Sequence, residues 1–525
     1  MRDKVYIFDS TLRDGSQAKG VSFSVLDKIK IVKKLDDLGI DYIEAGNPSS
    51  NPKDREFFKE ATKLSLRNSK LCAFGSTRKP NIKVEEDKNL NEIINSKVNV
   101  ICIFGKSWDF HVTDIIKTSL EENIEMIRES ITYLVSLGKE VIFDAEHFFD
   151  GYKNNPSYAL EVISTAKESG ARWIVLCDTN GGTMPNEIQE ITRFLIQDLK
   201  FNNLGVHFHN DSGVAVANSI VAVNEGVRHI QGTFNGLGER CGNANLSTII
   251  PNLNIKMDFK TIPDNNLKFL SSTYRYICEV SNIVPNEREA YVGNYAFAHK
   301  GGMHIDAINK NTRSFEHIHP NLIGNKRDIL MSEVSGRSTI VKSLNKVNSN
   351  INKDSYETRV IMEKLKKLEH EGYEFEGADG SFELLVRKEL NVFKPSFELI
   401  EYKMVKDAPS ASNYSATAVV KIMVNGVREI AAADGNGPVN ALDKALRRSL
   451  SVFYDDIKNM YLTDYKVRVI SEDKATSAKV RVMIESTDGQ NTWTTVGVSH
   501  DIIEASWKAL VDSVEYKLLC LNKGE

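Results

Sequence analysis

The chain has 525 residues, enough for roughly three domains at about 150 residues each. Its 41% hydrophobic and 26% charged content is that of folded globular chains, which excludes a small stapled scaffold and wholesale disorder. With 67 Lys plus Arg against 71 Asp plus Glu, the net charge is −4, which argues against a phosphate-backbone binder and hence against a nucleic-acid partner.

The opening Met-Arg-Asp-Lys-Val-Tyr-Ile-Phe reads as the run into a strand rather than a leader, and nowhere do 18 apolar residues run together. Six cysteines (Cys72, Cys102, Cys177, Cys241, Cys278, Cys520) form no CxxC pair, the pattern of reduced thiols. A cytoplasmic location with no membrane partner is expected. Short apolar runs at 5–9, 42–45, 71–74, 98–104, 140–144, 173–177, 204–208 and 229–234 read as strands. Amphipathic stretches separate them, such as 25–38, where Leu26, Ile29, Val32, Leu35 and Leu38 are read as one face and Gly39 as the stop. Eight βα units predict a TIM barrel with its active site at the C-terminal strand ends. An open doubly wound sheet is the alternative, weakened because no Gly-rich turn follows the first strand.

The predicted domains are the barrel over 1–275, mostly helical linker subdomains over 276–395, and an α+β regulatory domain over 396–525. In the last, Gly435-Asn-Gly-Pro-Val-Asn-Ala-Leu-Asp-Lys-Ala-Leu446 matches Ser499-His-Asp-Ile-Ile-Glu-Ala-Ser-Trp-Lys-Ala-Leu510 in shape, each opening a helix after a hairpin-like stretch at 417–432 and 478–498. Two βα modules would bury their sheets against each other and either frame a small-molecule pocket or serve dimerisation alone.

The sharpest local feature is His207-Phe208-His209-Asn210-Asp211 on the seventh strand. Alternation puts both imidazoles on one side, where their ring nitrogens need partners, and a metal is the natural one. A carboxylate is available from the first strand end, either Asp9 or Asp14, with Arg13 beside it to face charge developing on an oxygen. Two histidines and one carboxylate leave positions open, a catalytic rather than a structural arrangement. Asp144, Glu146 and His147 follow the fifth strand, Asp178, Thr179 and Asn180 the sixth, and a Gly-rich loop over 235–244 the eighth.

Asp9-Ser-Thr-Leu-Arg-Asp-Gly-Ser-Gln17, His207-Phe-His-Asn-Asp211, Asn235-Gly-Leu-Gly-Glu-Arg-Cys-Gly-Asn-Ala244 and His299-Lys-Gly-Gly-Met-His-Ile-Asp-Ala307 together resemble the metal-dependent Claisen-condensing acyltransferases that include isopropylmalate, homocitrate and citramalate synthases. Ser49-Ser-Asn-Pro-Lys-Asp54, Asp144-Ala-Glu-His-Phe-Phe-Asp-Gly-Tyr152 and Ser335-Gly-Arg-Ser338 look most like the citramalate branch. The resemblance implies a divalent metal (Mg, Mn or Zn) on Asp14, His207 and His209, with Asn243 a nearby ligand. It implies that Arg13 steadies an oxyanion, that Glu146 and Thr179 hold a keto acid beside Asn235, Gly236 and Gly238, and that His304 with Asp306 moves protons. Pyruvate and acetyl-CoA would be the substrates, a branched amino acid the effector at the C-terminal domain, and a homodimer the assembly. Another 2-oxo acid, a hydroxymethylglutaryl-CoA lyase reaction and a silent amino-acid sensor are the alternatives. Two departures stand out: Phe315, where some relatives carry a proton-relaying Tyr, and Ala45-Gly-Asn-Pro48 in place of Gly-Gly-Trp-Pro.

Overall fold

The computed structural model describes residues 2–329, 355–375, 377–406, 416–470, 478–489 and 491–521. They fall into two compact units, Met1–Phe297 with Ile318–Lys326 and Ala298–His317 with Arg327–Glu525. The motif Ser335 to Ser338 lies outside the described residues.

In the first unit eight parallel strands close in chain order: β1 (Tyr6–Asp9), β2 (Tyr42–Glu44), β3 (Lys70–Ser76), β4 (Val100–Lys106), β5 (Glu140–Glu146), β6 (Trp173–Asp178), β7 (Leu204–Phe208) and β8 (His229–Gly232). β8 pairs back onto β1, Tyr6 opposite His229 and Asp9 opposite Gly232, so the sheet has no edge and the open alternative is excluded. Side-chain alternation divides each strand between two cores. Ile7, Ile43, Ile101, Phe143, Leu176 and Val206 pack with the surrounding helices. Phe8, Tyr42, Cys72, Cys102, Trp173 and Val175 form a separate cluster of the opposite parity, the filled barrel interior.

The helix Val25–Leu38 starts at a capping box, in which the Ser24 side chain accepts the Asp27 N–H while the Asp27 carboxylate accepts the Ser24 N–H, and ends on Gly39 at φ 95°. Its buried face is Ile31, Val32, Leu35 and Leu38, whereas Leu26 is 58% exposed. The expected face therefore needs correcting. A strict three-residue step drifts about 60° per repeat on a helix of 3.6 residues per turn, so Leu26 and Leu38 do not share a face.

Low in the barrel His229 is fully buried among the rings of Phe8, Tyr42 and Trp173, at centroid distances of 5.5, 5.6 and 5.2 Å. A Cβ at Gly205 would come within 2.7 Å of the His229 ring, so the glycine makes its room. Neither ring nitrogen has a hydrogen-bond partner, and burial pushes the pKa down from 6.5 to about 3. Between those values the unfolded chain binds the extra proton, so stability contributed by neutral His229 is fully present above about pH 6.5 and lost as pH falls towards 3, by about 1.4 kcal/mol per pH unit. His229→Leu is expected to flatten the acid limb of thermal midpoint against pH in that window. An unchanged slope would contradict the assignment.

In the second unit, Glu398–Lys406, Ala416–Val424 and Val427–Gly435 form one antiparallel sheet, and Tyr461–Val469, Val480–Thr487 and Thr492–Ser499 another. Helices Pro438–Leu450 and Ile502–Leu521 cover them, and Ala418, Val420, Leu446, Val482, Leu510 and Val514 share one core. Each module is thus three strands and a helix, not a hairpin and a helix, and the sheets pack on their helices rather than on each other. Helices Tyr356–His370 and Asp379–Glu389 add Ile361, Leu365 and Phe382 against Val496. Among the described residues no helix is long and apolar enough to cross a membrane.

Candidate active site

The inward parity of the barrel carries a polar set to the C-terminal strand ends: Glu44 on β2, Asp144 and Glu146 on β5, Thr179 after β6, and His207 and His209 at β7. A cavity of about 290 Å³ opens there, lined by Arg13, Asp14, Phe74, Phe104, Asp144, Glu146, Thr179, both histidines, Glu239 and Arg240, with Gln17 and Cys177 completing the wall.

His207 Nε2 lies 3.3 Å from His209 Nε2, and Asp14 Oδ2 lies 3.6 and 3.9 Å from these two nitrogens. All three side chains are buried, and they are the one group of its kind among the described residues with ligand atoms gathered closely enough for a metal ion. Gln231 fixes the first imidazole: its amide NH₂ donates to Asp144 at 2.8 Å, which turns its carbonyl oxygen to accept from His207 Nδ1 at 2.9 Å. The proton is then on Nδ1, and Nε2 presents a lone pair to the other two groups. Burial lowers the pKa of His207, and burial followed by His207 brings His209 down to about 4. Burial alone would raise the Asp14 carboxyl, but the Arg13 charge outweighs it and holds it at about 2. Two neutral imidazoles and a carboxylate facing one another at these distances suit a shared cation.

Asp9 is not part of this group. It has the parity of Ile7, and its carboxylate accepts the Thr11 N–H at 3.1 Å and the Thr11 hydroxyl at 2.8 Å. Burial pushes its pKa up to about 7.

Arg13 bridges two carboxylates, donating from Nε to Glu44 at 2.7 Å and from Nη1 to Asp14 at 2.9 Å. Its guanidinium lies 3.8 Å over the Phe74 ring, which stacks on Phe104 at 5.4 Å. Glu44 is fully buried and takes a second bond from the Ser10 hydroxyl. Desolvation works against the Arg13 charge, but Glu44, Asp14 and Asp144 raise its pKa above the ordinary value. Burial and then Glu44 bring Asp144 up to about 7.

Glu146 pairs with Lys106, and the Thr179 hydroxyl accepts the His147 N–H at 2.9 Å. Asn243 donates from its amide to Asp14 Oδ1 and to the Leu237 carbonyl, each at 2.9 Å. The loop reaches this geometry through glycine: at Gly242, φ 83°, a Cβ would stand 1.8 Å from the Gly236 carbonyl oxygen, and at Gly238 one would stand 2.2 Å from the Asn243 amide nitrogen. The Asn235 amide faces Cys278 Sγ at 3.0 Å and is not among the cavity-lining residues. His304 and Asp306 lie on Gly302–Lys310 in the second unit, where the His304 ring stacks on Phe315 at 3.9 Å and Asp306 pairs with Lys310 at 2.5 Å. The sequence reading missed Glu44, Phe74, Phe104 and Gln231. Parity along β8, where Gln231 shares the inward side with His229, is the signal that finds Gln231.

A closed barrel with a His-His-Asp cluster at its C-terminal mouth defines a barrel enzyme of the metal-dependent class. Residues 4–277 match the family described as HMGL-like, 291–373 the homocitrate synthase post-HMGL domain-like family, and 376–518 the LeuA allosteric (dimerisation) domain. An (R)-citramalate synthase of Aquifex aeolicus (strain VF5) is 53% identical over 520 residues, 99% of this chain and 98% of that one. Those of Geobacter sulfurreducens and Synechocystis sp. are 48% and 46% identical, covering 98% and 100% of this chain and 97% and 98% of their own. The chain belongs to the HMGL-like family, in its citramalate synthase branch.

Proposed function

We propose that this chain condenses acetyl-CoA with pyruvate and water to give (R)-citramalate and CoA, and that Asp14, His207 and His209, with Asn243 alongside, hold a divalent metal. The observation that carries the reading is the convergence of the Asp14, His207 and His209 ligand atoms within 3.3 to 3.9 Å at one wall of the cavity, in a chain whose full length aligns with citramalate synthases. Bound there, Mg, Mn or Zn supplies Lewis acidity to a keto-acid carbonyl.

Glu146 and Thr179 orient the keto acid, and Gly236 and Gly238, with Asn235, shape the loop beside it. Arg13, its charge fixed by Glu44, faces the oxygen on which negative charge builds. His304, with Asp306 on the same helix, takes a proton from the acetyl methyl group, the carbanion carbon bonds to the keto carbon as the keto oxygen takes up a proton, and water then cleaves the thioester to carboxylate and CoA. Phe315 has no proton to give, so its part is to hold the His304 ring by stacking. The C-terminal domain binds a branched amino acid and pairs two chains, a reading supported by its match to an allosteric dimerisation domain. A cytoplasmic location accords with cysteines that form no disulfide among the described residues.

Following CoA thiol release with pyruvate, 2-oxobutyrate, 2-oxoisovalerate and 2-oxoglutarate tests the reaction. Pyruvate is expected to give the highest kcat/KM, because the stacked Phe74 and Phe104 rings line the cavity and take up space in it. Phe104→Ala is expected to raise the ratio of 2-oxobutyrate to pyruvate about tenfold or more, in the range one methylene is worth. No thiol release with any acid would reject the proposal.

A further inference from the structure

Arg240 lies in the Gly-rich loop after β8 with φ 54°, a left-handed conformation uncommon for a residue with a side chain. Its Nε donates to Asp211 Oδ1 at 2.8 Å, and its Nη2 donates both to Asp211 Oδ2 at 3.0 Å and to the Thr179 carbonyl at 2.6 Å. One guanidinium thus joins the loops that follow β6, β7 and β8. Both Arg240 and Thr179 line the cavity. Thr179 is held from its other side as well, since its hydroxyl accepts the His147 N–H at 2.9 Å.

The Arg240 and Asp211 side chains are 42% and 24% exposed, and ion pairs of that exposure add little to stability. What this one does is geometric. The planar fork takes both oxygens of Asp211 while its outer nitrogen reaches the Thr179 carbonyl. A lysine ammonium is a point charge and does not reproduce the fork.

We infer that Arg240 is a positioning residue for the keto-acid subsite: clamped to Asp211, it fixes the Thr179 backbone and so the placement of the Thr179 hydroxyl at the cavity wall. The inference rests on the proposal that Thr179 holds the keto acid. Asp14 takes its bond from Asn243 and His207 is fixed by Gln231, and neither of those side chains bonds to Arg240 or Asp211, so losing the clamp is expected to leave metal binding in place.

The test compares Arg240→Gln, Arg240→Lys, Asp211→Asn, the Gln/Asn double variant and Thr179→Val, with separate KM values for pyruvate and acetyl-CoA and a Mn²⁺ titration of each protein. Arg240→Gln is expected to raise the pyruvate KM about tenfold or more, with the acetyl-CoA KM and Mn²⁺ affinity unchanged. Arg240→Lys is expected to recover only part of the loss, and the double variant to be no worse than Arg240→Gln, because the two residues act as one clamp. If Thr179→Val raises the pyruvate KM and Arg240→Gln does not, the clamp is overturned and the Thr179 role stands. If Thr179→Val leaves that KM unchanged, the Thr179 role fails and the clamp's function fails with it. A rise confined to acetyl-CoA, or additive losses in the double variant, also overturns the inference.

Discussion

Replacing His209 with alanine is expected to remove metal uptake and turnover together, with kcat/KM falling about a thousandfold or more. The reason is positional. His209 Nε2 stands 3.3 Å from His207 Nε2 and 3.9 Å from Asp14 Oδ2, and without it two ligands remain where the ion needs three fixed donors. Its imidazole is not needed to hold the barrel together, so far-ultraviolet circular dichroism should stay unchanged. Gln231→Leu provides the graded comparison. His207 stays in place but loses the acceptor that keeps its proton on Nδ1, and metal affinity should weaken by about 10- to 100-fold rather than vanish. Isothermal titration with Mn²⁺ beside the thiol assay reads both effects. A His209→Ala protein that binds metal as the parent does would show that the pair is structural.

The second large effect is at Arg13. Arg13→Met leaves Glu44 fully buried with only the Ser10 hydroxyl to meet its charge, and stranding one partner of a buried ion pair costs about 3 to 5 kcal/mol. The protein should therefore melt well below the parent and lose turnover at once. Pairing the change with Glu44→Gln separates the causes: removing the more deeply buried of the two stranded carboxylates should restore part of the stability, Asp14 keeping its bond from Asn243, while activity should stay low because the cation facing the developing oxyanion is still missing. Thermal unfolding and the thiol assay on the same three proteins decide it. Recovery of both properties in the double variant would mean that Arg13 serves only the fold.

Much of the barrel was legible because each strand is short, apolar and followed by an amphipathic helix, and because β7 carries two histidines two residues apart. The metal-ligand group was half legible. Alternation puts His207 and His209 together without any structure, but it does not say whether Asp9 or Asp14 completes the set, which the sequence names only through the family resemblance. Parity decides it: Asp9 falls on the helix-facing side of β1 with Ile7, and Asp14 arrives from the loop. Phe74 and Phe104 read as ordinary core aromatics, and only the closed barrel places both at its mouth, Phe74 under Arg13 with Phe104 stacked on it. Glu44 ends a strand of three residues, Tyr42–Glu44, too short for a period of two to show. The first strand of each C-terminal module, Glu398–Lys406 and Tyr461–Val469, went unseen although Ile400, Tyr402 and Met404, and Tyr465, Val467 and Val469, alternate with charged residues; each lies at a sheet edge and is largely exposed. Arg240 looks like one more solvated charge until its contacts to Asp211 and the Thr179 carbonyl are traced.

Anomalous scattering from manganese-soaked crystals tests the metal assignment most directly. A single strong peak is expected between Asp14 Oδ2, His207 Nε2 and His209 Nε2, within bonding distance of all three, and absent from the His209→Ala protein. A peak elsewhere, or none at saturating Mn²⁺ while the three side chains keep their contacts, would contradict it.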